Sequence, residues 1–265
     1  MKKLTIVIIC FENPEELRFT LNSIFCSAFY SSNKSEIDIF IVDGSSTEAC
    51  QRVVSEFDDK FNDITSLWES DNGIYNAMNK GALCSRSSLI WYINSGDAIS
   101  AILDIDVNDF NLNSCIFGHS IQCVEGDKYL KKLVVDDAET CWWKKSLPCH
   151  QSVIMPREFI VSNKFDETLK ISADSKLVFL ALERLQHQYF DVVFSEFAIG
   201  GVSTNPRNFK QVLLHVREIN KTRNRKRLSY LMTYIHAIKK YMFVKLFGLK
   251  RYYEVSFSKN GVKKI

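Results

Sequence analysis

Leu4-Thr5-Ile6-Val7-Ile8-Ile9-Cys10 carries one polar side chain in seven residues. Such a near-continuous apolar run is expected of a central parallel strand buried on both faces. Asn13-Pro14-Glu15-Glu16 follows as a helix start, with proline in the first turn and acids at the positive end of the dipole. Leu17, Leu21 and Ile24 then recur at helical steps. Outward from this unit the alternation repeats. Strands are expected over Ile37–Val42, Ile64–Trp68 and Leu89–Ile93. Helices are expected over Glu48–Lys60 and Gly73–Cys84, the latter with Ile74, Ala77, Met78 and Ala82 on one face. This βαβαβαβ order predicts an α/β protein with a parallel sheet and right-handed crossovers. Ligands of such sheets sit beyond the carboxyl ends of the strands. Asp43, Glu69–Asp71 and Asn94–Asp97 directly follow three of those ends, so three polar clusters distant in sequence are expected at one edge.

The composition agrees with a globular chain. Of 265 residues, 46% are hydrophobic and 25% charged, with only 10 Gly and 4 Pro, which excludes collagen-like, low-complexity and disordered classes. No apolar run is longer than six residues (Ile6–Phe11 is one), far short of the ~20 a spanning helix needs. Met1-Lys2-Lys3 and the following apolar run imitate the front of a signal peptide. Glu12, Glu15 and Glu16 follow at once without a small-residue cleavage site, so a buried first strand is the expectation. The eight cysteines show no Cys-x-x-Cys spacing, which points to reduced thiols in a cytoplasmic protein.

Charge is unevenly distributed. Residues 1–204 hold 18 Lys+Arg and 29 Asp+Glu, a net −11, whereas residues 205–265 hold 16 and 2, a net +14. The basic tail contains Arg223-Asn224-Arg225-Lys226-Arg227. A helical stripe of Leu228, Leu231, Ile235, Ile238, Met242 and Leu246 follows, interleaved with Lys239, Lys240, Lys245 and aromatic residues. Such a helix either lies on an anionic membrane face or packs on the acidic body and neutralises it. Nucleic acid is not expected as a partner, because the body would repel phosphates.

No Gly-x-Gly-x-x-Gly follows the first strand and no Gly-x-x-x-x-Gly-Lys-Ser/Thr occurs. If a diphosphate is bound, a divalent cation is the economical way to bring carboxylates against it.

At the three strand-end clusters the sequence resembles the family 2 glycosyltransferases of the GT-A fold. The second strand of that family typically ends in Asp-Asp-Gly-Ser-Thr or Asp-Gly-Gly-Ser; here the text is Asp43-Gly44-Ser45-Ser46-Thr47. One subgroup carries Glu-Pro-Asp-x-Gly-Ile-Tyr-Asp-Ala-Met-Asn-Lys-Gly and then Leu-Asn-Ser-Gly-Asp. The corresponding text is Glu69-Ser70-Asp71-Asn72-Gly73-Ile74-Tyr75-Asn76-Ala77-Met78-Asn79-Lys80-Gly81 and then Ile93-Asn94-Ser95-Gly96-Asp97. Leu147-Pro148-Cys149-His150-Gln151, Ile171-Ser172-Ala173-Asp174 and Gly200-Gly201-Val202-Ser203-Thr204 fit the same subgroup, which is similar to the colanic-acid and O-antigen glycosyltransferases. The resemblance spans residues 4–205. It implies a GT-A domain over 1–205, a Rossmann-like mixed sheet, followed by a basic amphipathic helical region over 206–265.

The resemblance also implies roles. Asp97 would hold Mn²⁺ or Mg²⁺ against the donor diphosphate, although Asn94-Ser95-Gly96-Asp97 keeps only the last carboxylate of the usual Asp-x-Asp motif. Asp43, Asp71 and Asn94 would bind the donor nucleotide; for Asp43 an Asx turn or helix cap is the alternative. Phe11 would pack on the base or join the core. Asn79 and Lys80 belong to the donor set, with a solvated helix lysine as the alternative for Lys80. Asp174 would take the acceptor proton in an inverting reaction, or be a helix N-terminal carboxylate with no catalytic task. His150, with Gln151, would line the acceptor or diphosphate side or be structural. Trp142 and Trp143 would stack on a sugar or lipid or pack in the core. The activity implied is transfer of a sugar from a nucleotide donor, UDP favoured, to a lipid-linked oligosaccharide in surface polysaccharide synthesis. Its place would be cytoplasmic, peripheral on the membrane's inner face. A catalytically degenerate sugar-nucleotide- or partner-binding relative is the alternative, motivated by the lost carboxylate. A nucleotidyltransferase is disfavoured because the first loop lacks a Gly-rich basic segment.

Overall fold

In the computed structural model, β1 (Leu4–Cys10) lies between β2 (Ile37–Asp43) and β4 (Leu89–Asn94), parallel to both. All seven of its side chains are buried. The structure describes residues 2–61, 63–135, 147–200, 208–222, 227–259 and 262–265. The two-residue period of β1 divides the core into layers. Ile6, Ile8 and Cys10 join Leu17, Leu21 and Ile24 of α1 (Pro14–Phe25), Phe29 of α2 (Ala28–Asn33) and Val53 of α3 (Ala49–Ser55). Val7 and Ile9 join Met78 of α4 (Ile74–Cys84), Ile160 of α5 (Arg157–Asn163) and Leu177 of α6 (Ala173–Arg184) on the opposite face. Gly81 brings α4 close: a Cβ there would stand 2.6 Å from Val7 Cγ1. With β3 (Ile64–Trp68) beside β2, the parallel part runs β3-β2-β1-β4.

Beyond β4 the sheet turns antiparallel. β8 (Val153–Pro156) pairs with β4 and with β6 (Ser114–Val124), and β6 pairs with β7 (Asp127–Lys131). β9 (Gln186–Ala198) runs parallel to β6 over Ser114–Cys123, with a register shift at His119, and holds the short β5 (Ala98–Ile99). The sheet is thus mixed, as expected of the GT-A class.

The tail forms α7 (Phe209–Thr222), α8 (Arg227–Phe247), α9 (Leu249–Lys259) and β10 (Lys263–Lys264), which pairs with β7. Val244, Leu249, Tyr253 and Phe257 form a third core cluster with Val124, Tyr129 and Phe197. That contact does not use the stripe read from sequence. Leu231, Ile235, Ile238, Met242 and Leu246 are all exposed, while Ala237 and Val244 face inward. Among the described residues no helix is long and apolar enough to cross a membrane. The seven cysteines among them are free thiols.

The local expectations need correction in places. The helix expected to Lys60 ends at Ser55, because Phe57 and Phe61 turn inward and stack, ring centroids 5.9 Å apart. β7 stops at Lys131, and β6 runs unbroken from Ser114 to Val124. α6 begins at Ala173, which puts Asp174 in its first turn. α2, α5, β8 and β9 were not anticipated. β9 alternates poorly, since its burial changes from one end to the other.

Candidate active site at the strand ends

The register of β1 places Asp43 opposite Cys10 and Asn94 opposite Ile9, so two of the polar clusters flank the last residues of one strand. Asp43 is buried. Its Oδ1 accepts from the Ser45 amide at 2.9 Å, which makes the Asx turn. Its Oδ2 is buried and has no partner among the described residues. Cys10 and Cys50 lie beside it, and burial followed by the Asp43 charge pushes the Cys10 thiol far up.

Gly44 is the hinge of this corner. A Cβ there would fall 2.1 Å from Asp71 Oδ2 and 3.4 Å from Phe11 Cδ2, so Phe11 and Asp71 meet over its α-carbon. Phe11 is 63% exposed, which leaves it no core role. Asp71 Oδ1 accepts from the Gly73 amide at 2.8 Å. Glu12, not singled out from sequence, latches the first two loops. With φ at 52° it accepts from the Ser46 amide (2.8 Å) and hydroxyl (2.7 Å), bonds that hold its carboxyl below the usual range. Trp68 Nε1 donates to the Ser45 carbonyl at 2.7 Å.

At the end of β4, Asp97 is only 8% exposed. Its Oδ2 accepts from Gln151 Nε2 at 2.9 Å, and burial pushes its carboxyl up to about 7. Thr20 fastens this turn to α1, its hydroxyl donating to the Asp97 carbonyl (2.7 Å) and accepting from the Gly96 amide (2.9 Å). Asn94 Oδ1 and Ser95 Oγ in the same turn are buried and have no partner among the described residues. An all-oxygen set with one carboxylate suits Mg²⁺ or Mn²⁺ that shares its shell with phosphate oxygens. Three clustered ligand side chains among the described residues occur only at Cys10, Asp43 and Cys50, not around Asp97. A cation at Asp97 would therefore depend on the nucleotide for most of its ligands.

The loop over Cys149–Gln151 meets Asp97 through Gln151 and feels the charge of Asp174. Burial pushes the Cys149 thiol up to about 12, and the charges of Asp97 and Asp174 both add to that. Asp174 lies in the first turn of α6, where its Oδ1 accepts from the Tyr75 hydroxyl (3.2 Å) and the Ser175 amide (2.7 Å). Tyr75, also unanticipated, is pushed far up by burial and by Asp174. His150 is 6% exposed. Its ring stacks on Tyr92 (5.6 Å) and meets the edge of Phe165 (5.9 Å). Burial holds it below the usual imidazole range, with the Asp174 charge acting the other way, and its buried Nε2 has no partner among the described residues. The ring is packed as a core aromatic.

Two expected donor residues are committed elsewhere. Asn79 donates to the Phe165 carbonyl (3.0 Å) and Glu167 (2.7 Å) and accepts from the Phe165 amide (2.8 Å), which occupies its amide fully. Lys80 donates to Glu69 (2.8 Å) and the Ser70 carbonyl (2.7 Å), so it braces the loop carrying Asp71. Trp142, Trp143 and Gly201–Thr204 lie outside the described residues.

Residues 5–101 match the model of Glycosyl transferase family 2. Among solved structures, S. aureus TarS residues 1–349 are similar at 14% identity, with a TM-score of 0.57 over 91% of this chain and 72% of that one. The same fragment in complex with UDP-GlcNAc gives a TM-score of 0.59 at 15% identity, with the same coverage of both chains. A mannosyltransferase from Pyrobaculum calidifontis, in complex with GDP-Man and Mn²⁺, gives 0.56 at 12% identity over 97% of this chain and 75% of that one. Against full-length TarS the chain spans 43% of the neighbour's length. No curated protein matches the sequence.

Proposed function

We propose that this chain, whose residues 5–101 match the Glycosyl transferase family 2 model and whose fold is that of GT-A neighbours, is an inverting, cation-dependent glycosyltransferase. It would transfer a sugar from a nucleotide diphosphate, UDP favoured, to a lipid-linked oligosaccharide of a surface polysaccharide of the O-antigen or exopolysaccharide kind. The observation that carries this reading is the row of groups at the strand ends: Phe11, Asp43 and Asp71 around Gly44, then Asn94 and Asp97, then Asp174 across the Cys149–Gln151 loop.

In this reading the base of the donor stacks on Phe11, and Asp43 Oδ2 accepts from the base or ribose. A cation held by Asp97 would offset the charge of the departing diphosphate. The acceptor hydroxyl attacks the anomeric carbon from the face opposite the diphosphate. Its proton passes to Asp174 as the bond from carbon to phosphate oxygen breaks. Tyr75 holds Asp174 Oδ1, which leaves Oδ2, among the described residues, to take the proton. The exposed stripe of α8, with Lys239 and Lys245 on the same helix, would lie on the anionic inner face of the membrane where the acceptor is held.

Calorimetric titration with UDP, GDP, CDP and dTDP in Mn²⁺, with and without EDTA, tests the donor site. Binding of one nucleotide that EDTA abolishes is expected. Binding of none by folded protein would count against Asp43 and Asp97 as a nucleotide site. A degenerate binding protein is the second reading, favoured by Asn94-Ser95-Gly96-Asp97 keeping only the last carboxylate of the metal motif. Asp174→Asn separates the two, since a binding module is indifferent to it.

A further inference from the structure

We propose that Glu218, in the first helix of the basic tail, is a positioning residue for Asp174. The inference rests on the reading of Asp174 as acceptor base. Glu218 is 5% exposed. Its Oε1 accepts from the Lys170 amide at 2.7 Å, and its Oε2 from the amides of Ile171 (2.9 Å) and Ser172 (3.0 Å) and the Ser172 hydroxyl (3.2 Å). One buried carboxylate thus gathers three consecutive backbone amides immediately before the helix that carries Asp174.

The first four amides of a helix lack intrahelical partners, and a side chain at the cap ordinarily supplies one. Ser172 occupies the cap position of α6 but makes no such bond, because its hydroxyl is given to Glu218. The Ser175 amide goes to Asp174 Oδ1, and the Lys176 amide returns to the Ser172 carbonyl. Tyr75 comes from α4 and holds the Asp174 carboxylate, while Glu218 comes from α7 and holds the backbone just before it.

Burying a carboxylate is expensive unless several hydrogen bonds replace its water. An apolar side chain would join α7 to the body at lower cost. What Glu218 adds is a fixed path for residues 170–172, and so a fixed direction for the Asp174 side chain. A general base works only within hydrogen-bond reach of the hydroxyl it serves, so a loosened loop lowers turnover while donor binding, made elsewhere, persists.

The test is a double-mutant cycle on the full chain with Mn²⁺. The readout is nucleoside diphosphate release from whichever of UDP-Glc, UDP-Gal, UDP-GlcNAc and GDP-Man the wild type turns over. Glu218→Gln is expected to lower kcat about tenfold with donor KM unchanged, and Asp174→Asn about a thousandfold. The double variant should be no slower than Asp174→Asn alone, since Glu218 acts through that carboxylate. Wild-type turnover in Glu218→Gln, or a tenfold loss that persists in the Asp174→Asn background, would overturn the proposal. Wild-type turnover in Asp174→Asn would instead sink the base assignment beneath it. If Glu218→Gln does not fold, Glu218→Asp keeps the charge one methylene short and should show the same split at about threefold. Amide hydrogen exchange gives an activity-free readout: the Ile171 and Ser172 amides should be protected in wild type and lose protection in the variant. Equal exchange in the two proteins overturns the clamp.

Discussion

At the proposed donor corner Phe11 stands in solvent, Asp71 lies over a bare glycine and Asp43 keeps an oxygen with no partner among the described residues. On the proposed acceptor side the order is reversed. His150, Tyr92 and Phe165 interlock, Tyr75 stacks on Phe165 at 6.0 Å, and Asp174 is held by Tyr75 and by its own helix. The first region is made of strand ends, where the strand stops and Phe11 can stand open beside the buried Asp43 without unfolding anything. The second is made of elements crossing one another, where a group reaches the site only through packing. Changes at the donor corner should therefore read out in affinity, and changes on the acceptor side in turnover or stability.

Four outcomes break or sharpen this contrast, the largest first. Asp174→Asn should lower kcat about a thousandfold, some 4 kcal/mol in the barrier, with nucleotide affinity unchanged in a calorimeter. A parallel loss of affinity would merge the two regions. His150→Ala should cost about 3 kcal/mol of stability, because it empties a stacked, buried position, and urea unfolding measures it. Unchanged stability would show that the ring is not core. Phe11→Ala should leave the unfolding midpoint in place and weaken nucleotide binding by about 1–2 kcal/mol, roughly tenfold, as loss of one stacked base does.

The smallest effect concerns the tail. Burial lowers Lys240 to about 8 from its usual 10.5, although its ammonium reaches the Tyr253 hydroxyl at 3.2 Å and faces the rings of Tyr252 and Tyr253. Between those two values the unfolded chain binds more protons than the folded one. Stability therefore rises with pH across that window, and the cost is present in full below it. Lys240→Met should stabilise the protein by about 1 kcal/mol at pH 7 and flatten its stability between pH 8 and 10, checked by denaturant titration at several pH values. The gain stays well under the full shift because the side chain is partly open to solvent and its ring contacts are lost.

Much of the first region was legible in the residues. The apolar run Leu4–Cys10, the proline and acids opening α1 and the two-residue spacing of inward side chains are local signals, set by backbone sterics and the strand and helix periods. Once β1, β2 and β4 are parallel, the placement of Asp43 and Asn94 beside the end of β1 follows from the register. The basic stripe of α8 was legible too, but not its direction. Its face could be settled only by which other residues, Ala237 and Val244, had a partner to meet.

The sequence by itself determined the parallel order of the first four strands, the carboxylates at their ends and the charge division near residue 205, because periodicity, turn chemistry and charge are properties of neighbouring residues. Only the tertiary structure decided that Asn79 is saturated by Phe165 and Glu167, that Lys80 braces Glu69, that Gln151 covers Asp97 and that Glu218 gathers the amides before Asp174. Each of those partners is 11 to 88 residues away along the chain. A hydrogen bond of that span depends on where the whole sheet and its helices bring the backbone, which no local pattern records.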